Sequence, residues 1–132
     1  MVDRESQFKE VLECFPIPAY LFDGQALRFI MANSRYCELV GYTERELIEL
    51  PWPKILADDE VAFAEKAVQA AGPDRPVVWT WRRKDGQTVT AAVRYAAIKF
   101  VKSDNTLTDA YLATVMSTGR EIATMASQVY GN

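Results

Sequence analysis

Histidine is missing from all 132 residues, and its absence removes the commonest general base at neutral pH, the usual axial ligand of haem and any phosphoaccepting imidazole. Cysteine is scarce. Cys14 and Cys37 are the only two, each inside an apolar helix pattern, and they read as reduced thiols of a cytoplasmic domain, too few for a metal cluster. No stretch approaches the roughly 18 consecutive apolar residues that span a bilayer, and residues 1–10 are too charged for a secretory leader, so no membrane is expected. A basic surplus is lacking too: 15 Lys and Arg stand against 18 Asp and Glu, which leaves no footprint for nucleic acid.

What remains is ordinary for one globular domain, 49% hydrophobic and 25% charged, long enough to bury a core without staples. Phe8, Val11, Leu12 and Phe15 recur at i, i+3, i+4 and i+7, which predicts an amphipathic lead-in helix within residues 1–15, ended by Pro16 and Pro18. Residues 19–22 and 27–31 read as strands around an Asp23-Gly24 turn. After Pro51-Trp52-Pro53, Asp58 or Asp59 caps a long helix running through Ala71, with Val61, Ala64, Val68 and Ala71 as its stripe and Gly72-Pro73 as its stop. The period then changes to two in residues 77–83 and 88–100, flanking Lys84-Asp85-Gly86-Gln87, whose Asp-Gly pair is expected to supply the positive φ values of a hairpin turn, and in residues 110–117. The order predicts an α+β fold, a five-stranded antiparallel sheet with short helices packed on one face. Residues 16–118 form its core, and residues 119–132 start a C-terminal linker helix with Ile122, Met125, Ala126 and Val129 as its stripe.

The densest local signal lies in residues 33–47. Asn33 opens a short helix, Gly41-Tyr42 breaks it, and Thr43 with Glu46 forms a capping box, Tyr42 and Leu47 standing at the staple positions. Together with Arg82-Arg83-Lys84-Asp85-Gly86, these residues resemble the PAS domain family over about residues 9–120. The resemblance implies a PAS-like fold in which Asn33, Gly41, Tyr42, Thr43, Glu46, Asp85 and Gly86 are structural motif positions. It further implies a sensory and dimerising module rather than an enzyme, part of a bacterial signalling protein whose effector is a histidine kinase, diguanylate cyclase or transcriptional regulator. Flavin-binding relatives carry a reactive cysteine where this chain has Trp52-Pro53-Lys54-Ile55-Leu56, and haem-binding relatives use a histidine on the long helix. No cofactor is therefore expected, and the protein should be colourless. Thr118-Gly119-Arg120 replaces the Asp-Ile-Thr that usually couples the family's last strand to its effector.

Trp79 and Trp81 alternate with Val78, Thr80 and Arg82 and share one sheet face. With Tyr36, Val93, Arg94 and Tyr95 they are the candidates for lining a pocket for an unidentified small ligand, core packing being the plainer role. Arg94 would pair a ligand carboxylate or bridge to another strand. Asp58-Asp59-Glu60 is explained by helix capping rather than catalysis, and Arg82-Arg83-Lys84 by a solvated hairpin end. Cys37 is expected to be inert through burial. A homodimer is expected, with Phe8, Val11, Leu12 and Phe15 at its interface. A cone-shaped enzyme of ketosteroid-isomerase-like type and a ligand-free dimerisation domain are the other readings.

Overall fold

Alternation at period two builds the largest element of the computed structural model, which describes residues 4–24, 26, 28–55, 76–102 and 104–118. The strands β1 (Ala19–Asp23), β2 (Arg28–Ala32), β3 (Val77–Arg82), β4 (Thr88–Val101) and β5 (Leu107–Thr118) form one sheet in the order β2-β1-β5-β4-β3. All four pairings are antiparallel. β1 lies between β2 and β5, so the first strand is held by the last, with Ala19 opposite Thr114 and Asp23 opposite Ala110. The expected long helix, with Asp58-Asp59-Glu60 at its start, and the stripe from Ile122 to Val129 lie outside the described residues.

Alternation divides the strands cleanly into two cores. Tyr20, Phe22, Trp79, Trp81, Val93 and Tyr95 point to an inner face, whereas Leu21, Met31, Phe100 and Ala110 point to the outer one. Two irregularities interrupt the pattern. The register slips between Leu21 and Phe22 against β2 and between Ala92 and Val93 against β5; Ile30 and Met116 are the extra residues of these bulges.

On the inner face sit α2 (Ser34–Val40), α3 (Glu44–Glu49) and a 3-10 turn, Trp52–Ile55, which bury Tyr36, Val40, Leu47 and Ile55 in the inner cluster. Gly41 ends α2 at φ 81°, the left-handed conformation that glycine adopts without penalty. The lead-in helix α1 (Arg4–Glu13) stops two residues short of its expected limit and lies against the outer face. Leu12 is buried there, Phe8 meets Phe100 edge-on at 5.5 Å, and Phe15 is half-buried. Val11 departs from this stripe and is 57% exposed.

The β3–β4 hairpin also differs in detail from its expected form. Of Asp85 and Gly86 only Gly86 takes a positive φ, 89°. Its N–H donates to the Arg83 carbonyl (3.0 Å) and the Arg83 N–H to the Gln87 carbonyl (2.7 Å), a three-residue loop closed by a glycine bulge.

Candidate functional site

The inner face is a cluster of aromatic rings. Tyr20 on β1 packs on Tyr36 of α2 with ring centroids 4.5 Å apart, and Tyr36 meets Trp81 edge-on at 5.2 Å. Phe22 touches Tyr95 at 5.6 Å and stacks on Tyr111 at 5.5 Å. Burying rings of this size supplies much of a small domain's core energy.

Hydrogen bonding within the cluster is uneven. The Trp79 indole N–H donates to the Tyr95 hydroxyl (2.7 Å), which also bonds the Tyr20 hydroxyl (2.8 Å). By contrast, the Tyr36 hydroxyl and the Trp81 indole N–H are fully buried and find no partner among the described residues. Such groups are rare because each forfeits its hydration for nothing. Burial drives the Tyr36 phenol well above its usual pKa, with Tyr95 adding to the effect. Tyr95 is raised by burial as well, partly offset by the bonds to Tyr20 and Trp79.

Five of the six pocket candidates, Tyr36, Trp79, Trp81, Val93 and Tyr95, thus meet in this cluster. Arg94 does not join them. Its neighbours Val93 and Tyr95 face inward, so Arg94 faces outward opposite Thr114, where it is exposed. The alternation that placed the tryptophans together also excludes it.

Asn33 is the second centre of the site. It caps α2 by accepting the Tyr36 N–H (3.0 Å), as its position after β2 predicts. Its Oδ1 also accepts the Ala19 N–H (3.0 Å), while Nδ2 donates to the carbonyls of Leu12 (3.1 Å) and Ile17 (3.0 Å). One buried amide therefore joins α1, the segment after it, β1 and α2. The cap was readable from sequence; the donor half, made to carbonyls 16 and 21 residues away, has no local signal.

Further polar ties hold α1 to the same region. Lys9 bonds the Ala32 carbonyl and the Glu44 carboxylate (2.6 Å), and Glu44 accepts the Ala32 N–H (2.9 Å). Glu13 accepts from the Ser34 hydroxyl (2.8 Å) and N–H. Burial acts to raise the Glu13 pKa, but the Ser34 bonds and Lys9 outweigh it and hold the carboxyl below its usual value.

The remaining motif residues form a knot at the far end of α2. Thr43 and Glu46 make the expected capping box, with bonds of 3.1 and 2.9 Å. Arg83 donates to the Leu39 carbonyl (2.6 Å), Lys84 donates its N–H to the Val40 carbonyl (3.0 Å), and the Lys84 ammonium pairs with Glu46. The hairpin end is therefore a cap on the C-terminus of α2, where cations are favoured, instead of a freely solvated tip. Tyr42 is half-buried against the inner cluster.

Cys14 is exposed and Cys37 half-buried, and burial raises the Cys37 thiol above its usual pKa. Among the described residues no group of acids and cysteines is placed to hold a metal ion, and no helix is long and apolar enough to cross a membrane.

The family model described as PAS domain matches residues 6–72. No curated protein matches the chain. Among solved structures, a PAS domain from Desulfitobacterium hafniense is similar at TM-score 0.66 and 22% identity, over 83% of this chain and 99% of that one. A LOV protein from Rhodobacter sphaeroides aligns at TM-score 0.68 and 18% identity, over 91% and 70%. A domain of a sensory box sensor histidine kinase/response regulator from Geobacter sulfurreducens aligns at TM-score 0.59 and 16% identity, over 86% and 94%.

Proposed function

The chain belongs to the PAS domain family, and from that premise we propose that it is a cytoplasmic sensory module of a bacterial signalling protein, binding a small ligand at the inner aromatic cluster. The observation that carries the reading is a pair of buried groups without a hydrogen-bond partner among the described residues, the Tyr36 hydroxyl and the Trp81 N–H. Leaving a buried donor unpaired costs about 1–3 kcal/mol, and a ligand acceptor would recover that energy. Ligand binding would then favour one packing of helix and sheet over another and bias the helices leaving the core. The module acts as a sensor rather than an enzyme. Its resemblance to a sensor histidine kinase domain supports an effector of that class in the full-length protein.

The residues of this face do not fit haem or a flavin adduct. No histidine exists, Cys37 lies on α2 with a raised pKa, and all four hydrogen-bonding positions of Asn33 are taken by backbone groups. A colourless protein is the expected preparation. Homodimerisation belongs to the same proposal. Phe8, Leu12 and Phe15 pack on the chain's own sheet, so the surface for a second copy would draw on exposed apolar residues such as Val11 of α1 and Val78 of β3.

Native mass spectrometry of gently eluted protein tests the ligand reading. The expected result is an added mass that denaturation removes and that Tyr36→Phe and Trp81→Phe each reduce. A bare polypeptide mass under every gentle condition would leave a ligand-free dimerisation domain as the better account.

A further inference from the structure

We propose that Asn33 is a positioning residue that couples the aromatic interior to the seating of α1, so that displacing Tyr36 releases the lead-in helix from the outer face of the sheet. The inference rests on reading the inner cluster as the sensing side, and concerns how that side is regulated to act at a distance.

The side-chain amide has two donor hydrogens and acceptor capacity for two more bonds. Asn33 is 1% exposed and uses all four, toward Tyr36 and Ala19 through its oxygen and toward Leu12 and Ile17 through its nitrogen. A planar group held on both edges cannot follow a moving partner on one edge without lengthening its bonds on the other. Tyr36 is the partner with reason to move, because its ring packs between Tyr20 and Trp81 while its own hydroxyl finds no hydrogen-bond partner among the described residues. Leu12 is the partner that receives the movement. Its carbonyl lies in the last turn of α1, and its side chain is the buried anchor of that helix.

Two further ties of α1 end on the same short piece of chain. Glu13 holds Ser34, the residue after Asn33, and Lys9 holds Ala32, the residue before it, together with Glu44 at the start of α3. A shift of α2 therefore strains several attachments of α1 at once. The helix has only ten residues, too few to be stable alone in water, so its released state is a melted one. That gives a two-state element whose equilibrium the interior can bias. Release would uncover the outer cluster around Leu21, Met31, Phe100 and Ala110.

A double-mutant cycle on the full chain, read by amide hydrogen exchange in residues 4–13, tests the coupling without any ligand. Tyr36→Leu displaces the ring, and Asn33→Ser keeps a good helix cap for the Tyr36 N–H but loses the amide donors to Leu12 of α1 and to Ile17 after it. With Asn33 present, Tyr36→Leu should speed exchange in α1 about ten-fold, the weight of one buried hydrogen bond, while peptides of β4 and β5 serve as the global reference. With Asn33→Ser, exchange in α1 starts fast and Tyr36→Leu should add less than about two-fold. Equal increases in both backgrounds, or none in either, would overturn the proposal. Should Tyr36→Leu fail to fold, Trp81→Phe, which opens space beside the Tyr36 ring, replaces it with the same two outcomes. A protein that proves ligand-free would refute the sensing reading and leave this cycle able to succeed or fail on its own.

Discussion

Tyr36 and Tyr95 are sealed in the same aromatic cluster, yet their hydroxyls stand in opposite circumstances. Tyr95 joins Trp79 and Tyr20, whereas the Tyr36 hydroxyl has no partner among the described residues. Removing a bonded buried hydroxyl should therefore cost about 1–2 kcal/mol, while removing an unpartnered one should be nearly neutral. In urea unfolding of ligand-free protein, Tyr95→Phe should lower the midpoint and Tyr36→Phe should leave it within error; equal losses would show that Tyr36 has a structural partner. Thr43 offers a calibration outside the core. Its hydroxyl caps α3, and Thr43→Ala should cost about 1 kcal/mol by the same measurement, an unchanged midpoint counting against the cap. Both capping residues were legible in sequence because a cap reaches only three residues along the chain. The Tyr36 and Trp81 orphans were not, because whether a buried polar atom finds a partner depends on rings brought together from α2, β1 and β3.

At the level of elements, short apolar runs around a turn signal placed β1 and β2, and period two placed β3, β4 and β5 and sorted Trp79, Trp81, Val93 and Tyr95 onto one face. The pattern is local, and one face of the sheet is buried under helices, so register leaves its mark on composition. The same rule read strictly would have sent Arg94 outward. What escaped was contact between elements, above all the docking of the β3–β4 hairpin on α2 and α3 through Arg83, Lys84 and Glu46. That docking has a pH signature. The bond from Lys84, followed by that from the Thr43 N–H, lowers the pKa of Glu46 in the folded protein. A carboxyl with a folded pKa below its unfolded value contributes stability above the unfolded value, about 4.3, and loses it as pH falls through the folded one. Lys84→Gln should therefore be less stable than the parent near neutral pH, with the gap closing as pH falls below about 4. Urea midpoints measured across that range check the sign, and a gap that stays constant into strong acid would remove Glu46 as its source.

For the whole molecule the decisive feature is that β1 is held by β5. The family model matches residues 6–72, a stretch that contains β1, β2, α2 and α3 but none of the strands that pair β1 on its other side. The structure makes that half incomplete as a folding unit. Without β5, the sheet order β2-β1-β5-β4-β3 separates into β1–β2 and β3–β4, and isolated two-stranded hairpins are marginal at best in water. The outer core would also lose Ala110, leaving Leu21, Met31 and Phe100 around a gap beneath α1. A chain ending at residue 106 should consequently show no cooperative thermal transition and no protected amides in β1, even though every residue of the capping motifs remains. Circular dichroism and hydrogen exchange on that truncation provide the check. A sharp transition in it would mean that the helices and the aromatic cluster hold β1 without its central partner, and that the sheet forms around the motifs instead of holding them in place.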